Sequence, residues 1–401
     1  MLTIELIKDR GHLQSLADGW NRLLQASGSD CVFLTWEWIA SWWEVYGDGF
    51  ELLVLVARER NELCGIAPLM VKRVGRLFRS LMFIGQDVDV TPEYLDLIVA
   101  RGREDEVGAA LCRHLVGPLG RRWDHLALER ILDDSPNRPV IERTLGELGL
   151  ELEPCPMVDS PYAQLGASLE ALLDGKSHGF RKQYKNKRNR LQRAGPQRIL
   201  FAGRDVGVDR ALDELIRLNR ERWQEQGSSF RSERYIRFHR RFCAEAAPRG
   251  WLALALLELA GEVVAARYDY VYGGKLWCYQ GGWDPRHRDL NLGDNFIALI
   301  IEWGISQGLR EYDFLAGEAA YKDRWCTSRR SLTDLHGYNR TARGLAMREL
   351  RRGKALLYEG LGRVAGHLPE AARARLRALV PGLRLPASPE PAPTHDANTE
   401  R

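Results

Sequence analysis

Residues 251–282 read WLALALLELAGEVVAARYDYVYGGKLWCYQGG, and this stretch decides the fold. It breaks into three apolar-rich runs, WLALALLEL, VVAARYDYVY and LWCYQGG, separated by AGE and by Gly273-Gly274-Lys275. Runs of strand length joined by such short turns predict consecutive antiparallel strands. Residues 51–85 repeat the order as ELLVLVAR, the turn ERNE, LCGIAPLMVKRV, Gly75-Arg76 and LFRSLMFIG. The landmarks keep a nearly constant offset: Glu51 with Trp251, Glu62 with Glu262, Gly75 with Gly273, Gly85 with Gly281. The segments after the two meanders match as well. A helix-period segment at 104–116 precedes the strand RRWDHLALE, and one at 294–307 precedes REYDFLAG. Trp123-Asp124 and Tyr312-Asp313 occupy equivalent places. The unit is three strands, a helix and a strand, present twice, and it predicts an α+β chain.

Helical spacing at 168–193 and 209–226 (Leu212, Leu215, Leu218, Trp223) predicts a helical connector between the halves. Basic helical segments follow residue 340, and the Pro-rich polar end PASPEPAPTHDANTER is expected to be disordered. The expected organisation is an N-terminal half at 1–160, a connector at 161–230, a C-terminal half at 231–340, a basic helical extension at 341–385 and a tail at 386–401.

A chain of 401 residues is too long for one ordinary domain and long enough for two cores. Its 45% hydrophobic and 28% charged residues exclude a disordered or collagen-like class, and a net charge of +4 implies no wholesale nucleic-acid affinity. The seven cysteines are widely dispersed, which excludes CxxC motifs and the paired cysteines of zinc sites and fits buried thiols in a reducing compartment. MLTIELIKDRGHLQ carries acids early with no signal-like apolar stretch after it. The longest apolar runs, LALALLELAGEVVAA and FIALIIEWGI, contain acids and fall short of the roughly 20 residues that span a bilayer. A cytoplasmic protein is expected. With no GxSxG, HExxH or Walker loop, and no metal spacing among nine histidines, neither a metal nor Ser-His-Asp chemistry is expected.

The order meander, helix, strand resembles the core of the GNAT acyltransferase superfamily. FLTWEWIASWWEVYG, GEVVAARYDYVYGGKLW and above all REYDFLAGEAAYKDRW resemble the acetyltransferase family of bacterial polysaccharide (cellulose and exopolysaccharide) biosynthesis clusters. That family has the double-GNAT layout also seen in Fem-type peptidyl transferases. The resemblance covers about residues 5–335. It implies a tandem GNAT fold, two mixed sheets each flanked by helices, and acetyl-CoA or another acyl-CoA as cosubstrate. One departure stands out: the loop into the second-half helix commonly reads Ser-Pro-Gly in the family, and here reads Asn291-Leu292-Gly293.

Acyl transfer from a thioester to an amine needs the diphosphate held, the amine neutral, the oxyanion stabilised and the leaving thiolate protonated. A helix N-terminus offers unpaired N–H groups to phosphate. PRHRDLNLGDN leads into the second-half helix and supplies Arg286, Arg288, Leu292, Gly293 and Asp294 as cofactor-binding candidates. The first-half equivalent, ARGREDEV, puts Glu104, Asp105 and Glu106 at the helix start, where they repel a diphosphate. The first half is therefore read as degenerate, and the second as the half with cofactor and active site. The superfamily parts two strands at the third strand, here LWCYQGGWDP, where Gly281-Gly282 permits a bulge, Gly281 approaches the cofactor, and Tyr279 is a candidate acid for the thiolate. Asp313, a carboxylate among apolar neighbours, is the first candidate base and Glu318 the next. An ion pair of Asp313 with Lys322 or Arg324, or a hydrogen-bonded structural Asp, is the alternative. Lys322 is a candidate for an anionic acceptor, and Tyr321 and Trp325 for sugar stacking.

KSHGFRKQYKNKRNRLQR is basic without acids, either a solvated helix face or a site for an anionic ligand, and it lacks the interleaved aromatics of a dedicated RNA binder. Three functions remain in view. One is an acyl-CoA-dependent N-acyltransferase on an amino sugar, a sugar nucleotide or an anionic polysaccharide precursor. The others are a Fem-type aminoacyl-tRNA-dependent transferase and a binding scaffold without activity. The basic C-terminal helices are candidates for contact with a membrane surface.

Overall fold

The computed structural model describes residues 1–157, 159–224, 227–317 and 319–366. Met1–Asn339 form one compact unit and Arg340–Arg401 a second, in which the described part is the helix Ala342–Gly366. The extension beyond residue 366 and the tail at 386–401 lie outside the described residues. None of the described helices is long and apolar enough to cross a membrane.

The strands in chain order are β1 (Leu2–Ile7), β2 (Phe50–Glu59), β3 (Glu62–Val74), β4 (Phe78–Phe83), β5 (Ile98–Val99), β6 (His125–Leu132), β7 (Leu152–Pro156), β8 (Ser160–Gln164), β9 (Gln197–Phe201), β10 (Leu252–Leu259), β11 (Glu262–Tyr272), β12 (Lys275–Trp283), β13 (Glu311–Asp313), β14 (Ser328–Arg330) and β15 (Leu332–Tyr338). They build two sheets. The first runs β1-β2-β3-β4-β6-β15-β7 with β5 beside β3, and the second runs β14-β8-β13-β12-β11-β10-β9. Every pair is antiparallel except β4 with β6 and β12 with β13, which are parallel at the same place in each repeat. The fold is thus the expected α+β tandem of mixed sheets flanked by helices.

The turn chemistry explains the meanders. Arg60 and Asn61 have φ of 49° and 71°, Ala260 and Gly261 50° and 88°, and Gly273 and Gly274 61° and 74°. Two left-handed residues in a two-residue loop match the twist of the strands they join. Both first hairpins also shift register at one point, between Ala57 and Arg58 and between Leu257 and Glu258.

The halves interlock more than the repeat implied. β15, late in the chain, lies between β6 and β7 of the first sheet, while β8 lies between β13 and β14 of the second. β9 and all but the first residue of β8 fall within 161–230, the stretch read as helical connector, so that stretch supplies strands as well as the helices His178–Ala194 and Val208–Arg222. The helix Trp36–Tyr46 adds an aromatic bond between the halves: Trp38 sits 4.9 Å from Phe238, 4.7 Å from Phe242 and 5.8 Å from Tyr279, centroid to centroid. Five of the seven cysteines are buried, Cys326 is half-buried, and Cys155 is exposed on β7, against the expectation of burial throughout.

Candidate active site

β12 and β13 pair only through Lys275–Glu311, Leu276–Tyr312 and Trp277–Asp313, and then part. β12 continues to Trp283, whereas the chain beyond β13 turns at Leu315 (φ 59°) and Gly317 (φ 108°). Lys322 holds that turn, its Nζ donating to the carbonyls of Leu315 (3.0 Å) and Ala316 (2.8 Å). Beyond the parting lies a groove of about 540 Å3, walled by the end of β12, the start of the helix Leu292–Ser306 and the helix Ala320–Trp325.

The shape of β12 rests on local packing. Tyr279 is an extra residue against β11, so the bulge lies there and not at Gly281-Gly282. Gly282 instead makes room for a helix. A Cβ on it would lie 2.4 Å from the Asn219 amide nitrogen, so only glycine lets the helix Val208–Arg222 lie against the strand. Asn219 Nδ2 donates to the Gly281 carbonyl at 2.8 Å, and Gly281 lines the groove.

At the helix start, Asn291 takes φ 48° and its side chain caps nothing. The amides of Leu292, Gly293 and Asp294 head the helix, where no carbonyl of the helix itself can accept from them, and all three residues line the groove. N–H groups at the positive end of a helix favour an anion. The Asp294 carboxylate is compensated: Lys187 reaches it at 2.6 Å and Arg324 at 2.8 Å. Burial pushes its pKa up, but those two cations more than offset it and hold it below the usual value. Arg288 lines the groove, and its guanidinium makes no hydrogen bond or ion pair among the described residues. Arg286 does not line it. It folds back onto Asp284 and Glu262, so the cofactor-binding expectation for Arg286 is replaced by a surface ion pair. The basic helix His178–Ala194 is partly spoken for. Lys187 holds Asp294, Arg188 approaches Glu302 at 3.5 Å, and Arg190 donates to the Asp289 carbonyl at 2.9 Å, so this helix braces the loop and helix at the groove.

Where the strands part, Arg267 is 8% exposed and lines the groove. Its Nη2 donates to Asp269 Oδ1 (3.0 Å), to Tyr312 Oη (2.7 Å) and to Cys278 Sγ (2.8 Å). Burial disfavours its charge, but Asp269 outweighs that and keeps the guanidinium protonated. Tyr321 Oη lies 3.9 Å from Cys278 Sγ. Tyr279 also lines the groove, with its ring packed among Trp38, His239, Tyr268 and Tyr270. Burial pushes both phenols above their ordinary pKa.

Three expected substrate or catalytic residues lie elsewhere. Asp313 is fully buried and saturated: Tyr94 (2.8 Å), Ser160 (3.3 Å), the Leu315 amide (2.8 Å) and Arg330 (3.0 Å) all donate to it. It lines a separate cavity of about 280 Å3 and not the groove. Its partner is Arg330, not Lys322 or Arg324. Burial raises its pKa and Arg330 opposes that. Lys322 points to loop carbonyls rather than to the groove. Trp325 is a core residue, edge-on to Phe180 (5.2 Å) and Tyr184 (5.7 Å), and offers no face to a sugar. Glu318 lies outside the described residues.

Sequence reasoning passed over Arg222 and Arg267. A signal for the second was present: in AARYDYV, Arg267 and Asp269 stand two apart and therefore share one face of an otherwise apolar strand.

With this geometry in hand, residues 178–323 match the family model described as acetyltransferase (GNAT) domain, the segment that contains every lining residue of the groove except Arg324. The chain is by this domain an acyltransferase. Among solved structures, FemX superposes with a TM-score of 0.59 at 11% identity, covering 83% of this chain and 96% of that one. A conserved protein of unknown function from Bacteroides thetaiotaomicron superposes with a TM-score of 0.50 at 13% identity, covering 84% and 100%. A tandem GNAT protein from the clavulanic acid biosynthesis pathway reaches 0.48 at 13% identity, covering 85% and 100%. No curated protein matches the chain by sequence.

Proposed function

We propose that the chain is an acyl-CoA-dependent N-acyltransferase, with acetyl-CoA as donor and an amino sugar or similar small amine of polysaccharide or cell-envelope synthesis as acceptor. The observation that carries this is the helix start without a side-chain cap, its first three residues lining the groove beside Arg288, where β12 and β13 part. The amides of Leu292, Gly293 and Asp294, with Arg288, would hold the diphosphate. Gly281 and the strand edge left unpaired beyond Trp277 give the pantetheine a wall of backbone to bond. The thioester supplies the activated acyl group.

Tyr321 takes the acid's role in this reading. Its phenol stays protonated, lines the groove and sits beside Cys278 at the parting, whereas the Tyr279 ring is held in the aromatic cluster. The only carboxylate among the described lining residues, Asp294, is doubly paired, so it is not free to take the proton of the acceptor amine.

Calorimetry with acetyl-CoA and with aminoacyl-tRNA, followed by mass spectrometry of candidate amines, tests this. Acetyl-CoA binding with a gain of about 42 Da on an amine, the mass of one acetyl group replacing hydrogen, supports it. Strongly salt-dependent tRNA binding without CoA binding would put a Fem-type reaction in its place. Binding of neither would leave a scaffold.

A further inference from the structure

The groove carries more positive charge than a diphosphate at the helix start requires. Arg288 and the three amides serve that end, and Arg324 is engaged by Asp294. Two further guanidinium groups remain. Arg222 ends the helix Val208–Arg222 half-buried, 4.5 Å over the Trp223 ring and 5.6 Å over Trp283. Among the described residues its guanidinium has no hydrogen bond or ion pair. Arg267 is underused in another way. Among the described residues all three of its bonds leave from Nη2, its Nε is buried without a partner, and its Nη1 has none either. Nη1 would lie 3.4 Å from a Cβ placed on Gly281, which puts it at the groove wall.

A guanidinium taken out of water normally finds an anion, because a buried donor without an acceptor forgoes its hydration. Here the one carboxylate on Arg267, Asp269, is shared with Tyr312, which donates to its other oxygen at 2.9 Å. Arg222 and Arg267 repel one another: burial lowers the pKa of Arg222, and Arg267 lowers it further. No lining carboxylate stands between them among the described residues. A ligand anion entering the groove would satisfy both.

We propose that the acceptor is an amine that also carries a carboxylate or phosphate, and that this anion binds to Arg222 and to Nη1 of Arg267. This rests on the acyl-transfer reading and narrows its acceptor: a neutral amino sugar leaves both cations unanswered.

The test uses the full chain, acetyl-CoA and matched acceptor pairs, with product measured by mass. An α-amino acid is set against its amide, and glucosamine 6-phosphate against glucosamine. The anionic member of at least one pair is expected to show a kcat/KM roughly tenfold or more above its neutral partner, the size of one charge-assisted hydrogen bond. The pair that shows the preference tells carboxylate from phosphate. Arg222→Gln, at a half-buried position, should remove most of that preference and leave acetyl-CoA affinity unchanged. Equal rates within both pairs overturn the proposal, and so does an Arg222→Gln protein that loses acetyl-CoA affinity but keeps its discrimination. If no amine is acetylated, the acyl-transfer reading fails separately. Calorimetry of the same pairs on the free protein then decides this proposal: preferential binding of the anionic member, lost in Arg222→Gln, sustains it, and its absence overturns it.

Discussion

Replacing Gly282 with alanine tests whether one close approach shapes the groove. The added Cβ would meet three backbone atoms: the Asn219 amide nitrogen at 2.4 Å, the Leu218 carbonyl carbon at 2.5 Å and the Asn219 Cα at 2.8 Å. Backbone inside a helix cannot turn aside as a side chain does. Restoring ordinary contact at 3.4 Å needs the helix Val208–Arg222 and β12 to separate by about 1 Å. Overpacking of this kind costs about 2–3 kcal/mol. The same movement strains the Asn219–Gly281 hydrogen bond and shifts Gly281, part of the backbone wall given to the pantetheine. Urea unfolding of Gly282→Ala should therefore show a midpoint lowered at unchanged slope, and calorimetry should show weaker acetyl-CoA binding. Gly281→Ala is the control for stability alone, since its nearest neighbours, the Ala266 carbonyl at 3.3 Å and Arg267 Nη1 at 3.4 Å, leave nearly enough room. A Gly282→Ala protein as stable as the parent and as tight for acetyl-CoA would refute the reasoning.

Three further outcomes are expected. Tyr321→Phe should lower kcat by about 10²-fold or more, the range of a lost general acid, with little change in acetyl-CoA affinity; Tyr279→Phe should lower it less, and the reverse order in steady-state assays would restore Tyr279 as the acid. Asp313→Asn should cost about 2 kcal/mol in urea unfolding, because a buried carboxylate facing Arg330 loses its charge, while turnover survives. A collapse of kcat at parental stability would return Asp313 to the reaction. Burial raises the Asp96 carboxyl from 3.8 to about 6, so its protonated form favours the fold. That contribution is complete below about pH 4 and is lost as pH rises through 6, a change of about 3 kcal/mol. The stability difference between the parent and Asp96→Asn should fall over that window, and parallel curves would contradict the assignment.

The repeat made most of the fold legible, because hairpin turns and apolar runs are local signals. The short strands were not. β8, SPYAQ, holds a proline, and β15, LTDLHGY, mixes polar with apolar residues; each becomes a strand by fitting between partners from the other half. Such long-range pairing leaves little periodicity in the segment itself. Within the site, Leu292, Gly293, Asp294, Arg288, Gly281, Tyr279 and Tyr321 were found through the repeat and the family resemblance, and all line the groove. Asp313 and Lys322 misled for one reason. A charged residue in an apolar strand or a short helix announces a buried partner, and sequence cannot say whether that partner is substrate, ion pair or carbonyl. Here Asp313 is answered by Tyr94 and Arg330 and Lys322 by two carbonyls.

The central claim is that one acyl-CoA binds at the start of the second-half helix. Isothermal titration of acetyl-CoA into the full chain should give a single site. Gly293→Glu places an acid in the first turn of the helix with open space around its Cβ, whose nearest neighbour is Trp283 at 3.9 Å, and should weaken binding by roughly tenfold or more. Arg103→Glu, at the matching turn of the first half, should leave it unchanged. Two sites per chain, or parental affinity in the Gly293→Glu protein, would contradict it.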